Sequence, residues 1–251
     1  MTQSSTGVSQ LLVSLADDEL ILAHRDSEWT GHSPILEEDI AFSNIAQDEM
    51  GHALVWYSLN EQITGQKPDA LAFGRAWEQF RCCSFVSRPI GDFAYTVVRQ
   101  FLFDMAEQVR LASLAVSTHT PIREAAAKIL KEEGYHRLHT QGLLERLSNG
   151  TEESHRRMQA ALNAAFPQAA GIFEDLPLEP RLIAEGVMQP NKELAGEWQS
   201  LVTPILAAAT LTLPPDAPAG FGGRNGKHPD CLRDAVTDMQ SVFRSIDGAS
   251  W

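Results

Sequence analysis

Two Glu-x-x-His pairs constrain this chain more than any other feature. They lie in Asp48-Glu49-Met50-Gly51-His52 and in Glu132-Glu133-Gly134-Tyr135-His136, each inside a long stretch of helical periodicity. On a helix, residues i and i+3 share a face, so each pair can offer a carboxylate and an imidazole to one metal ion. With 19 Glu and 8 His in the chain, chance supplies roughly 0.6 such pairs, so one alone would carry little weight. A third pair, Glu152 with His155, sits just past a turn without a mate and reads as accidental.

Placement separates the two central pairs from coincidence. Four long segments have helical spacing: about Ser9 to Trp29, Ser33-Pro34 to about Asn60, about Ile90 to Ser117, and Thr120-Pro121 to Asn149-Gly150. Ser33-Pro34 and Thr120-Pro121 read as an N-cap followed by proline at the first helical position, and Asn149-Gly150 as a helix end. The segments therefore form two helical hairpins. Between them Glu61 to Pro89 is too long for a turn and reads as a crossover with a short helix around Leu71 to Cys83. One long crossover between two hairpins is the wiring of a ferritin-like bundle. Helical character continues after Gly150 (His155–Phe166, Asn191–Ala209, Pro229–Arg244), broken by links such as Leu213 to Gly226. The expected fold is all-α: a ferritin-like four-helix bundle over 9–150, with additional C-terminal helices over 151–251 packed on it in a single domain, 1–251.

Counted from the two prolines, Glu49 lies 15 residues into its helix and Glu133 lies 12 into its own. The matching height on the preceding helices falls near Glu19 and Glu107. Glu19 has Leu15, Ala16, Leu22 and Ala23 around it, and Glu107 has Phe103 and Leu111. An uncompensated carboxylate on such an apolar stripe is costly. The expected ligands are therefore Glu19, Glu49, His52, Glu107, Glu133 and His136, the di-iron carboxylate pattern. Asp104 is expected behind them as an acceptor for a ligand histidine. Asp48 and Glu132 point roughly 100° away. Gly51 and Gly134 are expected to let helices approach closely beside the site, and Trp56, Phe101, Phe103 and Tyr135 to be bundle core. Oxygen and nitrogen donors suit iron, or manganese, more than zinc. Two such ions would support dioxygen activation.

The formal charge of −13 argues against nucleic acid or an anionic membrane as partner and suits a basic partner protein. Three cysteines, two of them adjacent (Cys82, Cys83), provide neither a disulfide framework nor zinc spacing and fit a reducing compartment. Met1 to Gln10 lacks the charged and apolar regions of a secretion signal, and the apolar run Leu201–Leu213 is too short to span a bilayer. A soluble cytoplasmic protein is expected. Without a nucleotide-binding glycine fingerprint or a cluster-binding cysteine run, it would depend on a separate reductase for electrons.

Several runs add a family likeness: Glu28-Trp29-Thr30-Gly31-His32-Ser33-Pro34; Gly91-Asp92-Phe93 through Arg99-Gln100 to Asp104; Tyr135-His136; Leu144-Glu145-Arg146-Leu147-Ser148-Asn149-Gly150-Thr151; and Gly222-Gly223-Arg224-Asn225-Gly226-Lys227-His228 to Trp251. Over nearly its whole length the chain resembles the C subunits of the phenylacetyl-CoA epoxidase (the PaaC family) of the ferritin-like superfamily. The resemblance implies a cytoplasmic, multicomponent oxygenase of aerobic phenylacetate breakdown. In such a system the C subunit pairs with a catalytic A subunit, which is itself a di-iron bundle. A flavin and iron–sulfur reductase and a small B subunit complete it, and its product is the ring-1,2-epoxide of phenylacetyl-CoA. C subunits are described as structural, with an incomplete ligand set, whereas the set here reads as complete. Two readings follow: an oxygenase component that binds two irons, or a structural scaffold that supports the catalytic partner and needs no metal. A stand-alone ferroxidase-like ferritin relative fits the tail less well.

Overall fold

The computed structural model describes residues 3–215 and 220–245. Trp251 and the middle of the 213–226 link lie outside them. Among the described residues the regular elements are helices, so the fold is all-α. No helix among the described residues is long and apolar enough to cross a membrane. The chain forms two compact units, residues 1–89 with 222–251, and residues 90–221.

The first unit is built on the hairpin of α1 (Gln3–Ser27) and α2 (Leu36–Thr64). Leu15, Leu22 and Ala23 of α1 and Trp56 of α2 are buried as expected, and Leu12, Phe42, Ile45 and Tyr57 are buried with them. Ser33 does not cap α2. Its hydroxyl donates back to the Trp29 carbonyl (3.3 Å). The helix starts at Leu36 after extended Ile35, because the turn needs Ser33 for its own closure. Asp39 in the first turn accepts from the Gly31 amide (2.7 Å) instead. α2 runs one turn past Asn60 to Gly65, whose φ of 76° ends it in the left-handed conformation glycine favours.

The crossover does not form one helix over 71–83. α3 (Pro68–Ala72) is followed by a single 3₁₀ turn at Trp77–Gln79. The reason lies in α1, where Asp17 and Asp18 are fully buried. Asp17 takes the Arg75 guanidinium (2.5 Å), the Tyr57 hydroxyl (2.5 Å) and the Arg81 amide (2.6 Å). Asp18 takes the Cys83 amide (2.7 Å). Amides held by side chains of another helix are not available to an i→i−4 ladder. Asp18 also binds the buried Arg224 at 2.7 and 2.8 Å, tying the 222–228 segment to α1. Gly223 passes so close there that a Cβ would lie 2.3 Å from the Cys82 carbonyl oxygen. Arg25 completes the strap by donating to the Ser87 and Cys231 carbonyls (3.0 and 2.9 Å). The C-terminal helix of this unit, Asp230–Met239, packs against α1 and the 77–79 turn.

The second unit is built on the hairpin of α4 (Phe93–Leu114) and α5 (Thr120–Ser148). Asp92 caps α4 by accepting from the Tyr95 amide (2.9 Å). Pro121 sits in the first turn of α5, and Asn149 ends the helix by returning both its amide and its side chain to the Glu145 carbonyl. The short α7 (Glu179–Ala184), which the sequence did not lead us to expect, lies between α6 (Glu152–Ala169) and α8 (Asn191–Ala208). Both α6 and α8 pack on α4. Trp198 of α8 stacks on Phe166 and donates its indole N–H to the Leu102 carbonyl (3.1 Å).

Two expectations of packing are corrected. Tyr135 is 77% exposed, so it is not core, although Trp56, Phe101 and Phe103 are fully buried. A Cβ at Gly51 or Gly134 would meet nothing within 4 Å among the described residues, so neither glycine serves close packing there.

Candidate metal centre

Each unit carries one Glu-x-x-His pair on its second helix. In the first unit, Glu19 of α1 and Glu49 and His52 of α2 are 0%, 0% and 2% exposed. The His52 Nδ1 lies 3.9 Å from Glu19 Oε2 and 3.9 Å from Glu49 Oε2. One donor atom from each of the three falls within 4.8 Å of the others. Two donors sharing an ion at ~2.1 Å can be at most ~4.2 Å apart, so small side-chain rotations would close this set on a cation. The hairpin explains the convergence: antiparallel neighbours bring Glu19 level with the i, i+3 pair of α2.

In the second unit, Glu133 and His136 of α5 are buried, with His136 Nδ1 3.2 Å from Glu133 Oε1. Asp104 of α4 gathers with them, one donor atom from each within 4.8 Å of the others. Asp104 accepts from Gln100 Nε2 (2.8 Å) and from the Thr140 hydroxyl (2.6 Å). Burial pushes its carboxyl well above the usual range, and neighbouring Glu133 pushes it further, while His136 and the two hydrogen bonds pull it back. Gln100 and Thr140 were not foreseen. Their signal was spacing, since Gln100 precedes Asp104 by four residues and Thr140 follows His136 by four.

Glu107 is fully buried, as expected. Its Oε1, however, lies 2.8 Å from Nη2 of Arg110, one turn along α4 and itself buried. Sequence reasoning missed this arginine, although it stood in view at i+3. Asp48 is exposed, and Glu132 is half-buried with Lys128 3.8 Å away. His155 sets its Nδ1 3.0 Å from the Ser148 carbonyl, so the third Glu-x-x-His pair is part of a helix junction.

The donor chemistry in each unit fits a divalent cation. Carboxylate oxygens and imidazole nitrogens are the donors for iron, manganese or zinc. Buried carboxylates crowded on one point need a cation or a proton to be stable there.

All of residues 1–251 match the family model described as phenylacetic acid catabolic protein. The chain is 34% identical over 238 residues to the C subunit of the 1,2-phenylacetyl-CoA epoxidase of Escherichia coli (strain K12), covering 94% of this chain and 96% of that relative. It is also similar to the A subunit of the same epoxidase, 25% identical over 241 residues, covering 93% of this chain and 75% of the relative. The chain belongs to the phenylacetic acid catabolic protein family.

Proposed function

We propose that this protein is the C-type subunit of a cytoplasmic, multicomponent oxygenase that epoxidises the aromatic ring of phenylacetyl-CoA. The observation that carries the reading is the pair of buried Glu-x-x-His sets, each meeting a second carboxylate, in a chain that matches the epoxidase's C subunit nearly end to end. On this reading the two units form one ferritin-like domain, 1–251. Glu19, Glu49, His52, Glu107, Glu133 and His136 hold two iron ions, or manganese, and Asp104 orients His136 from behind. When bound, the metal pair supplies dioxygen activation. The protein's own groups hold the ions, keep water out by burial, and fix the imidazoles. Its partners are a catalytic A-type subunit, a small B subunit, and a reductase.

One observation favours a second reading, a structural scaffold that supports the catalytic partner and needs no metal. The Glu107–Arg110 ion pair already supplies that carboxylate with a positive partner from the chain itself.

Elemental analysis of the purified chain, alone and with its A-type partner, separates the two. The first reading expects close to two iron or manganese ions per chain. His52→Ala and His136→Ala should then each lose metal, because each imidazole would be a direct ligand. Little phenylacetyl-CoA turnover is expected from the chain alone, and turnover should appear with the partner and reductase. Full activity from the isolated chain would overturn the C-type assignment, and a metal-free protein in both preparations would leave the scaffold.

A further inference from the structure

α4 buries two carboxylates one turn apart, and the chain holds them in different ways. Glu107 meets the guanidinium of Arg110 at 2.8 Å, a positive partner. Asp104, fully buried as well, is held by neutral groups. Gln100 Nε2 donates to its Oδ1 (2.8 Å), and the Thr140 hydroxyl donates to its Oδ2 (2.6 Å). Neutral donors fix the plane of a carboxylate without cancelling its charge. Gln100 and Thr140 are themselves fully buried, so water does not compete for these bonds.

The two donors come from both helices of the hairpin. Gln100 precedes Asp104 by one turn on α4, and Thr140 follows His136 by one turn on α5. The helices are antiparallel, so both steps lead toward the same end of the hairpin. Glu133 stands three residues before His136, toward the other end, and one donor atom each from Asp104, Glu133 and His136 gather within 4.8 Å. A threonine on a helix can return its hydroxyl to the carbonyl one turn back, and Thr140 has the His136 carbonyl at 3.0 Å. Its one hydroxyl proton nevertheless has the shorter contact with Asp104. The helix forms without this hydroxyl, and Asp104 is what it holds.

We propose that Gln100 and Thr140 are positioning residues of the metal centre: together they fix the Asp104 carboxylate, and through it they fix His136 for the ion. The inference rests on the metal-binding reading in the proposed function and adds the two groups that hold its orienting carboxylate. Removing a partner that stands behind a metal ligand typically lowers metal affinity 10–100-fold. A hydrogen bond that serves the fold alone would change stability and leave that affinity where it is.

The test measures Co²⁺ affinity of the full-length chain by visible absorption, beside thermal unfolding of the metal-free protein. Thr140→Val keeps the side-chain shape and removes the donor. Its Co²⁺ affinity should fall ~10–100-fold, with a shift of the ligand-field bands. Gln100→Leu should weaken binding in the same range. Thr140→Ser, which restores the hydroxyl, should bind as the wild type does. In an Asp104→Ala background, adding Thr140→Val should lower affinity no further, because the hydroxyl acts through that carboxylate. Wild-type affinity in both Thr140→Val and Gln100→Leu would overturn the positioning role while the metal site stands. Additive losses in the Asp104→Ala background would overturn the route through Asp104. A wild-type chain that binds no Co²⁺, alone or with its A-type partner, would overturn this inference together with the metal-binding reading.

Discussion

Glu107 and Arg110 stand one turn apart on α4, both buried, with 2.8 Å between their charges. Removing one partner of a buried ion pair leaves the other charge uncompensated, which typically costs about 3–5 kcal/mol. Arg110→Ala should therefore destabilise the metal-free protein by about that amount in urea unfolding. Anaerobic ferrous iron should restore much of the loss in the variant, because a cation at Glu107 would replace the lost positive charge. An unchanged metal-free midpoint would mean that other groups carry the Glu107 charge. The sequence displayed both residues, but i+3 spacing of opposite charges is ordinary on any helix surface. Only burial gives the pair its weight here, and burial is a property of the fold. Tyr135 is the reverse case: as an aromatic it was expected in the core, yet one residue before the buried His136 its side chain turns roughly 100° toward the outside.

At the scale of elements, α1 is decisive because it is buried on nearly every side while carrying Asp17, Asp18 and Glu19 in succession. A helix with three adjacent acids ordinarily keeps some in water. Here each acid has its own function: Asp17 holds the crossover, Asp18 holds Arg224, and Glu19 faces His52. Asp18→Ala should cost about 3 kcal/mol by removing the carboxylate set against the buried Arg224 guanidinium and leaving its charge to the Ser14 and Arg81 carbonyls. It should also make the 222–228 segment the first site of limited proteolysis. Wild-type resistance of that segment in the variant would show that its glycine-rich packing suffices without the salt bridge.

For the whole molecule, acid titration gives a test with a definite sign. Burial lowers the pKa of His24 and His228 from 6.5, and for His228 the hydrogen bond to the Phe80 carbonyl opposes that only in part. A histidine with a depressed folded pKa binds its proton more readily in the unfolded chain. Its contribution is complete above pH 6.5 and is lost as pH falls from there toward the folded value. Asp104 works the other way, since its raised carboxyl favours the protonated folded state as pH drops. The comparison with His228→Gln isolates the imidazole: the thermal midpoint of the variant should fall less steeply than wild type below pH 6.5. Parallel profiles would show that His228 titrates alike in both states.

The sequence by itself determined the helical class, the two hairpins, both Glu-x-x-His pairs and the burial of Glu19 and Glu107. These rest on local chemistry that a linear pattern records: 3.6-residue periodicity, proline near helix starts, and the i, i+3 geometry of one face. Tertiary structure alone decided the rest. Asp17 and Asp18 unwound the expected crossover helix because their partners Arg75 and Cys83 lie 58 and 65 residues away along the chain. The start of α2 moved past Ser33 because the preceding turn used its hydroxyl. Glu107 came to rest against Arg110, and Asp104 between Gln100 and Thr140. Spacing can say which residues share a face, but which charge meets which is settled only when distant segments pack.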